Sequence, residues 1–242
     1  NLASLVCQKL EQLTAAQLTS LLKALGRGKV EGDWLPLHAL ETAAAMLSLS
    51  RHAGLPPEEI RPAVLAAWLH DGGLWGRPDR GLWQPLDDPA AVSLLENHPQ
   101  FLGLHPVPGL APEVAELVSW HHEQARGQGY PKHLIRSQCS DPSARLSILD
   151  MWSALLFLWR HPEGPVPHEL LALSSTRTFS PILAQAPSHP DEVLVQLRGM
   201  MDAGRWERPD FLGWLRWLLA QVGPSLSAFY QAPGLVSKGA PA

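Results

Sequence analysis

The chain has 242 residues, enough to bury a substantial core, and its 45% hydrophobic against 17% charged residues exclude a disordered polymer. A net charge of −4 excludes a general electrostatic field for a nucleic-acid polymer. Cys7 and Cys139 match no zinc-ligand spacing and are expected as free thiols in a reducing compartment.

Helical punctuation recurs along the chain, and strand-like alternation persists nowhere. Thr14-Ala15-Ala16-Gln17 reads as a capping box opening a helix that ends near Gly26. Pro56-Pro57-Glu58-Glu59 suits the first turn of a helix running to about His70. Pro112 and Glu113 open another, expected to run through the His121-His122 pair. Asp141-Pro142 starts a helix to about Arg160, Ser188 to Glu192 open one more, and residues 210–221 form a Trp-rich apolar helix. Residues 1–33 are expected as a small N-terminal helical leader and residues 34–242 as one all-α domain. Two long loops, 72–88 and 127–140, are candidates for function. The longest apolar run, Leu155 to Trp159, is too short to span a bilayer, and no secretory signal opens the sequence. The expectation is a soluble, cytoplasmic protein.

Polar side chains on core faces carry the chemistry. Val114, Leu117 and Val118 mark a buried stripe whose next positions are His121 and His122. Asp150 falls among Leu146, Leu149, Ala154 and Phe157, where a carboxylate is costly to bury without a cation or strong donors. His70-Asp71 closes a helix whose inner face includes Ile60, Val64, Ala67 and Trp68. One such histidine would read as a hydrogen-bonded core residue. Five such groups on three segments instead suit a divalent metal held by imidazole and carboxylate, with no thiolate nearby.

His38, His70-Asp71, His98-Pro99, His121-His122-Glu123, Gly127-Gln128-Gly129-Tyr130-Pro131 and Asp150 stand in an order that resembles the HD-GYP subgroup of HD-domain phosphodiesterases. The resemblance covers roughly residues 35–215, including a weaker tail at Ala203-Gly204-Arg205-Trp206. It implies an HD-domain helical bundle with a bimetal site in its core, often holding iron or manganese, and hydrolysis of cyclic di-GMP in bacterial signalling. By position, His38, His70, Asp71 and Asp150 would hold one ion. Asp71, bridging, would hold the second with His98, His121 and His122. His70 and Asp71 would be the catalytic pair.

Departures from the pattern bear on activity. Leu74 takes the place of a phosphate-facing lysine, so slow turnover is expected, and restoring lysine there is expected to raise it. Trp34 takes the place of a glutamate found in trinuclear members, which favours two ions. Arg126 replaces an aspartate before the GYP loop, while Arg177-Thr178-Phe179-Ser180 keeps one of two arginines. Arg126, Lys132, Arg177 and Tyr130 are the substrate-binding candidates, although solvated loop charge is the plainer reading of Arg126 and Lys132. Trp75 and Trp83 could stack on a base, with packing the simpler role, and Glu123 reads as an imidazole partner or a surface carboxylate. Two readings stay open: a phosphodiesterase with a remodelled substrate site, and a weak or inactive module binding nucleotide or partner proteins. A nucleotide phosphohydrolase of the wider HD superfamily is disfavoured by the GYP loop. The partner expectations are a diguanylate cyclase domain docking on the GYP loop and a homodimer.

Overall fold

The structure, a computed structural model, describes residues 2–25, 34–75, 89–160 and Leu197. They form eight α-helices: α1 (Leu2–Glu11), α2 (Ala15–Leu25), α3 (Trp34–His52), α4 (Pro57–Leu69), α5 (Pro89–Asn97), α6 (Phe101–Leu104), α7 (Pro112–Ser119) and α8 (Asp141–Arg160). Short 3-10 turns at 72–74, 98–100 and 136–138 link them. Among the described residues, β pairing is limited to one isolated bridge between Arg126 and Ile135. The expected elements at 188–192 and 210–221, together with Trp83 and most of the 72–88 loop, lie outside the described residues.

Helix α3 is the axis of the bundle and packs against α2, α4 and α8. It is buried nearly all round, from Thr42 to Ser50 without a break, as a helix enclosed by other helices must be. Ala43, Ala44 and Ala45 keep its girth small, so its neighbours approach closely. Helix α4 packs against α1, α3, α7 and α8. Pro57 sits where no helical N–H partner is needed, and Glu58 and Glu59 face the positive end of the helix.

The predicted capping box is present. The Thr14 hydroxyl accepts from the Gln17 N–H at 3.2 Å, and the Gln17 side chain accepts from the Thr14 N–H at 2.9 Å. Cys7 and Leu10 of α1 and Leu18 and Leu22 of α2 enter the same core as Met46 and Val64. Burial and the nearby Glu11 push the Cys7 thiol up to about 12, so it stays protonated.

One helix is shorter than expected. Helix α7 ends at Ser119, and Trp120 leaves helical geometry with φ −109° and ψ 2°. His121 and His122 therefore stand in a turn, both buried. Consecutive residues on an α-helix point about 100° apart, so two adjacent imidazoles can converge only once the helix has ended. Their ring centroids lie 4.0 Å apart.

Candidate metal centre

Five segments deliver seven side chains to one buried place: His38 from α3, His70 and Asp71 after α4, His98 after α5, His121 and His122 after α7, and Asp150 from α8. All seven are buried, with His70, Asp71 and His121 at 0% exposure. Close backbone approach makes the convergence feasible. A Cβ on Gly73 would stand 2.7 Å from the His98 carbonyl oxygen, so glycine lets the 72–74 turn touch the 98–100 turn.

Three of the histidines share one local device. His70, His98 and His121 each follow a helix C-terminus within one or two residues, where the last carbonyls lack intrahelical partners. Each Nδ1–H donates to the carbonyl three residues back: His70 to Ala67 at 2.8 Å, His98 to Leu95 at 2.7 Å and His121 to Val118 at 2.6 Å. His38 lies inside α3, where the equivalent carbonyl is committed to the helix, and its Nδ1 meets the Ser153 hydroxyl at 2.9 Å instead. With Nδ1 the donor in all four rings, every Nε2 turns inward, and in a neutral ring it is a lone pair.

These inward nitrogens crowd together. His98 Nε2 and His121 Nε2 are 3.3 Å apart, and His38 Nε2 and His70 Nε2 are 3.1 Å apart. Asp150 Oδ1 is 3.0 Å from His38 Nε2, while Asp150 Oδ2 and His122 Nε2 have no hydrogen-bond partner among the described residues. The two oxygens of Asp71 face different rings. Oδ2 lies 3.2 Å from His70 and 3.6 Å from His38, and Oδ1 lies 3.3 Å from His98 and 3.9 Å from His121. Acceptors buried at such distances repel unless positive charge sits among them. Two clusters have donor atoms within 4.8 Å of one another and could each hold an ion: Asp71, His98, His121, His122, and His38, His70, Asp150.

Proton affinities follow the same demand. Burial pushes His121 from 6.5 down to about 3, helped by the charges of His70 and His98. Burial, then His121, holds His122 well below its ordinary value. His70 moves the other way: burial opposes its charged form, but Asp71 and Asp150 outweigh it and hold the imidazole well above 6.5. Burial also opposes ionisation of Asp150, yet the imidazoles of His38 and His70 beside it hold it well below 3.8.

The GYP loop is built onto the paired histidines. A Cβ on Gly129 would lie 2.6 Å from the Glu123 Cα, so only glycine fits against that backbone. The Tyr130 N–H donates to the His122 carbonyl at 3.2 Å, and the Tyr130 ring lies over the His122 ring with centroids 4.7 Å apart. Glu123 is buried, and its carboxylate accepts from the Lys132 and Leu134 N–H groups at 2.6 and 2.8 Å. It is neither a surface carboxylate nor an imidazole partner; it clamps the loop.

Of the remaining candidates, Arg126 and Lys132 have exposed side chains on this loop, and Arg177 lies outside the described residues. Trp75 is half-buried and packs edge-on to Trp68 at 5.6 Å. Trp34 stacks on His38 with centroids 4.5 Å apart and planes 25° apart, as the i, i+4 spacing on α3 allows. Leu74 is fully buried in an apolar cluster with Trp34, Leu35, Leu95 and Phe157. Two residues at the centre were missed from the sequence: Ser153, three after Asp150, and Glu41, three after His38. Their signal was a polar side chain one turn beyond each ligand on a buried face.

No protein-family profile matches the chain. The cyclic di-GMP phosphodiesterase PA4108 of Pseudomonas aeruginosa is 33% identical over 141 residues, which are 55% of this chain and 33% of that protein. The cyclic di-GMP phosphodiesterase response regulator RpfG of Xanthomonas campestris pv. campestris is 30% identical over 115 residues, 45% of this chain and 30% of that one. The chain therefore spans about a third of the length of these curated relatives. Among solved structures, Bd1817, an HDG"Y"P protein from Bdellovibrio bacteriovorus, superposes with a TM-score of 0.50 at 18% identity. That superposition covers 69% of this chain and 59% of Bd1817, and it establishes a shared fold.

Proposed function

Since this chain belongs to the HD-GYP group of HD-domain proteins, we propose that it is a metal-dependent phosphodiesterase hydrolysing cyclic di-GMP. The observation carrying the proposal is the set of inward, mutually crowded Nε2 atoms around two buried carboxylates. His38, His70 and Asp150 would hold one divalent ion, and His98, His121 and His122 the other. Asp71 would join them, because its two oxygens face the two sets separately. A donor set of nitrogen and oxygen without sulfur suits iron or manganese. Two such ions, when bound, supply Lewis acidity that activates water and offsets charge on a phosphodiester.

The chain's own residues divide the remaining work. The helix-end carbonyls of Ala67, Leu95 and Val118 set three ligand tautomers. Tyr130 covers His122 and presents the GYP loop beside the centre. Arg126 and Lys132 offer exposed cations for a phosphate, with Arg177 as a third candidate. The chain acts in the cytoplasm in this reading; no helix among the described residues is long and apolar enough to cross a membrane. A diguanylate cyclase domain on the GYP loop and a second copy of the chain are the proposed protein partners.

A second reading, a nucleotide- or partner-binding module of little activity, is favoured by Leu74, which stands at the sequence place of the phosphate-facing lysine that the resemblance implies and is buried among apolar side chains. Elemental analysis of anaerobically purified protein, paired with a cyclic di-GMP turnover assay, separates the two. We expect close to two transition-metal ions per chain, even in excess metal, and measurable hydrolysis abolished by Asp71→Ala together with both ions. Full metal loading without hydrolysis would select the binding module.

A further inference from the structure

Helices α3 and α8 pack together and each carries a polar residue three positions after a ligand: Glu41 after His38 and Ser153 after Asp150. That spacing brings each pair to one helix face. The Ser153 hydroxyl donates to Glu41 Oε2 at 2.6 Å and lies 2.9 Å from His38 Nδ1. All three side chains are buried.

A hydroxyl has one hydrogen and a carboxylate has none to give, so the Ser153 proton goes to Glu41. Ser153 must then accept from His38 Nδ1–H, which leaves His38 Nε2 as a lone pair toward Asp150 and His70. The other three histidines obtain this tautomer from free carbonyls at helix ends. His38 lies within a helix, and the group at its Nδ1 is a side chain, the Ser153 hydroxyl. A buried carboxylate behind the hydroxyl also raises the basicity of the ring it serves.

We propose that Glu41 is a positioning residue: through Ser153 it fixes the tautomer of His38 and strengthens that ring as a ligand for one of the two ions. The inference rests on the metal reading given above. It concerns one ion alone, because the relay ends on His38, which belongs to one of the two ligand sets.

The test is chelator competition with cobalt(II), resolving the two ions by their separate affinities and absorption bands. Wild type is compared with Glu41→Gln, Glu41→Leu, Ser153→Ala and the Glu41→Gln/Ser153→Ala pair, with circular dichroism checking the fold. Partners of this kind typically change metal affinity by about 10–100-fold. Glu41→Gln keeps an acceptor oxygen and loses the charge, so about 10-fold weaker binding of one ion is expected. Glu41→Leu and Ser153→Ala should approach 100-fold, with the second ion unmoved. Because the two residues act in series, the double variant should cost little more than Ser153→Ala alone. Wild type loading two ions while the folded variants load alike, or both ions weakening together, overturns the relay. Should Leu and Ala variants misfold, the near-isosteric Gln variant decides the matter by the same split. Wild type taking up no ion overturns the metal reading, and the relay with it.

Discussion

Leu74 shows how much one side chain's neighbours matter. Read from the sequence, lysine at this position should raise turnover, yet the residue is sealed among Trp34, Leu35, Leu95 and Phe157. An ammonium there would lose its water without gaining a partner from those four side chains. Leu74→Lys alone is now expected to destabilise the fold by roughly 2–5 kcal/mol, the scale of a disrupted core site, without a gain in turnover. Urea unfolding and a turnover assay check this; a stable, faster variant would contradict it. The histidines set a pH dependence. An unfolded chain binds protons at His121 near 6.5, and the folded metal-free chain only near 3. His122 shifts in the same direction. Folding therefore loses stability as pH falls from 6.5 toward 3. His70, held high, works against this at the top of the window, one group against two. The urea midpoint of the metal-free protein should fall between pH 6.5 and 4. Five of the seven candidate ligands, His70, Asp71, His121, His122 and Asp150, were legible in sequence because acids and imidazoles interrupt apolar stripes, whereas His38 and His98 came through the family resemblance. Glu41 and Ser153 were not, since a lone polar residue on a helix reads as surface.

At the scale of elements, the segment from α7 to α8 behaves as one device. Helix α7 stops, two imidazoles turn inward, and the GYP loop folds back on their backbone under the Glu123 clamp. Gly129→Ala would push a methyl into the backbone of residues 122–124, an overlap that backbone cannot easily relieve. A loss of roughly 1–3 kcal/mol is expected, the usual cost of overpacking, together with reduced metal content because His122 moves. Denaturant titration and elemental analysis measure the two effects; unchanged values for both would show the loop to be independent of the centre. The starts of α2, α4 and α8 were readable from proline, acid and capping-box residues, which act within a few positions of themselves, although α8 takes in Asp141 and Ser140 is its cap. Helix α3 was not, because enclosure on every side erases the amphipathic period that announces a helix. The end of α7 was misread for a related reason: a stripe predicts which residues are buried, and His121 and His122 are buried, but off the helix.

For the whole molecule, candidate ligands drawn from α3 to α8 would make ion binding and folding one equilibrium. A ligand that binds only the folded state at about 1,000 times its dissociation constant adds roughly 4 kcal/mol. Stripping metal with a chelator should therefore lower the midpoint of thermal unfolding by several degrees, and adding the ion back should restore it; scanning calorimetry would show this. Midpoints that coincide with and without metal would mean the seven side chains are held by the bundle alone.

His38 and Asp150 are 112 positions apart in the chain, yet would grip the same ion from helices that pack together. Such a grip acts as a reversible cross-link between distant parts of the chain, and no partial structure offers a complete shell. An ion held this way would have to shed donors on both helices before it left, so the same bond that keeps the ion would also slow the parting of α3 from α8.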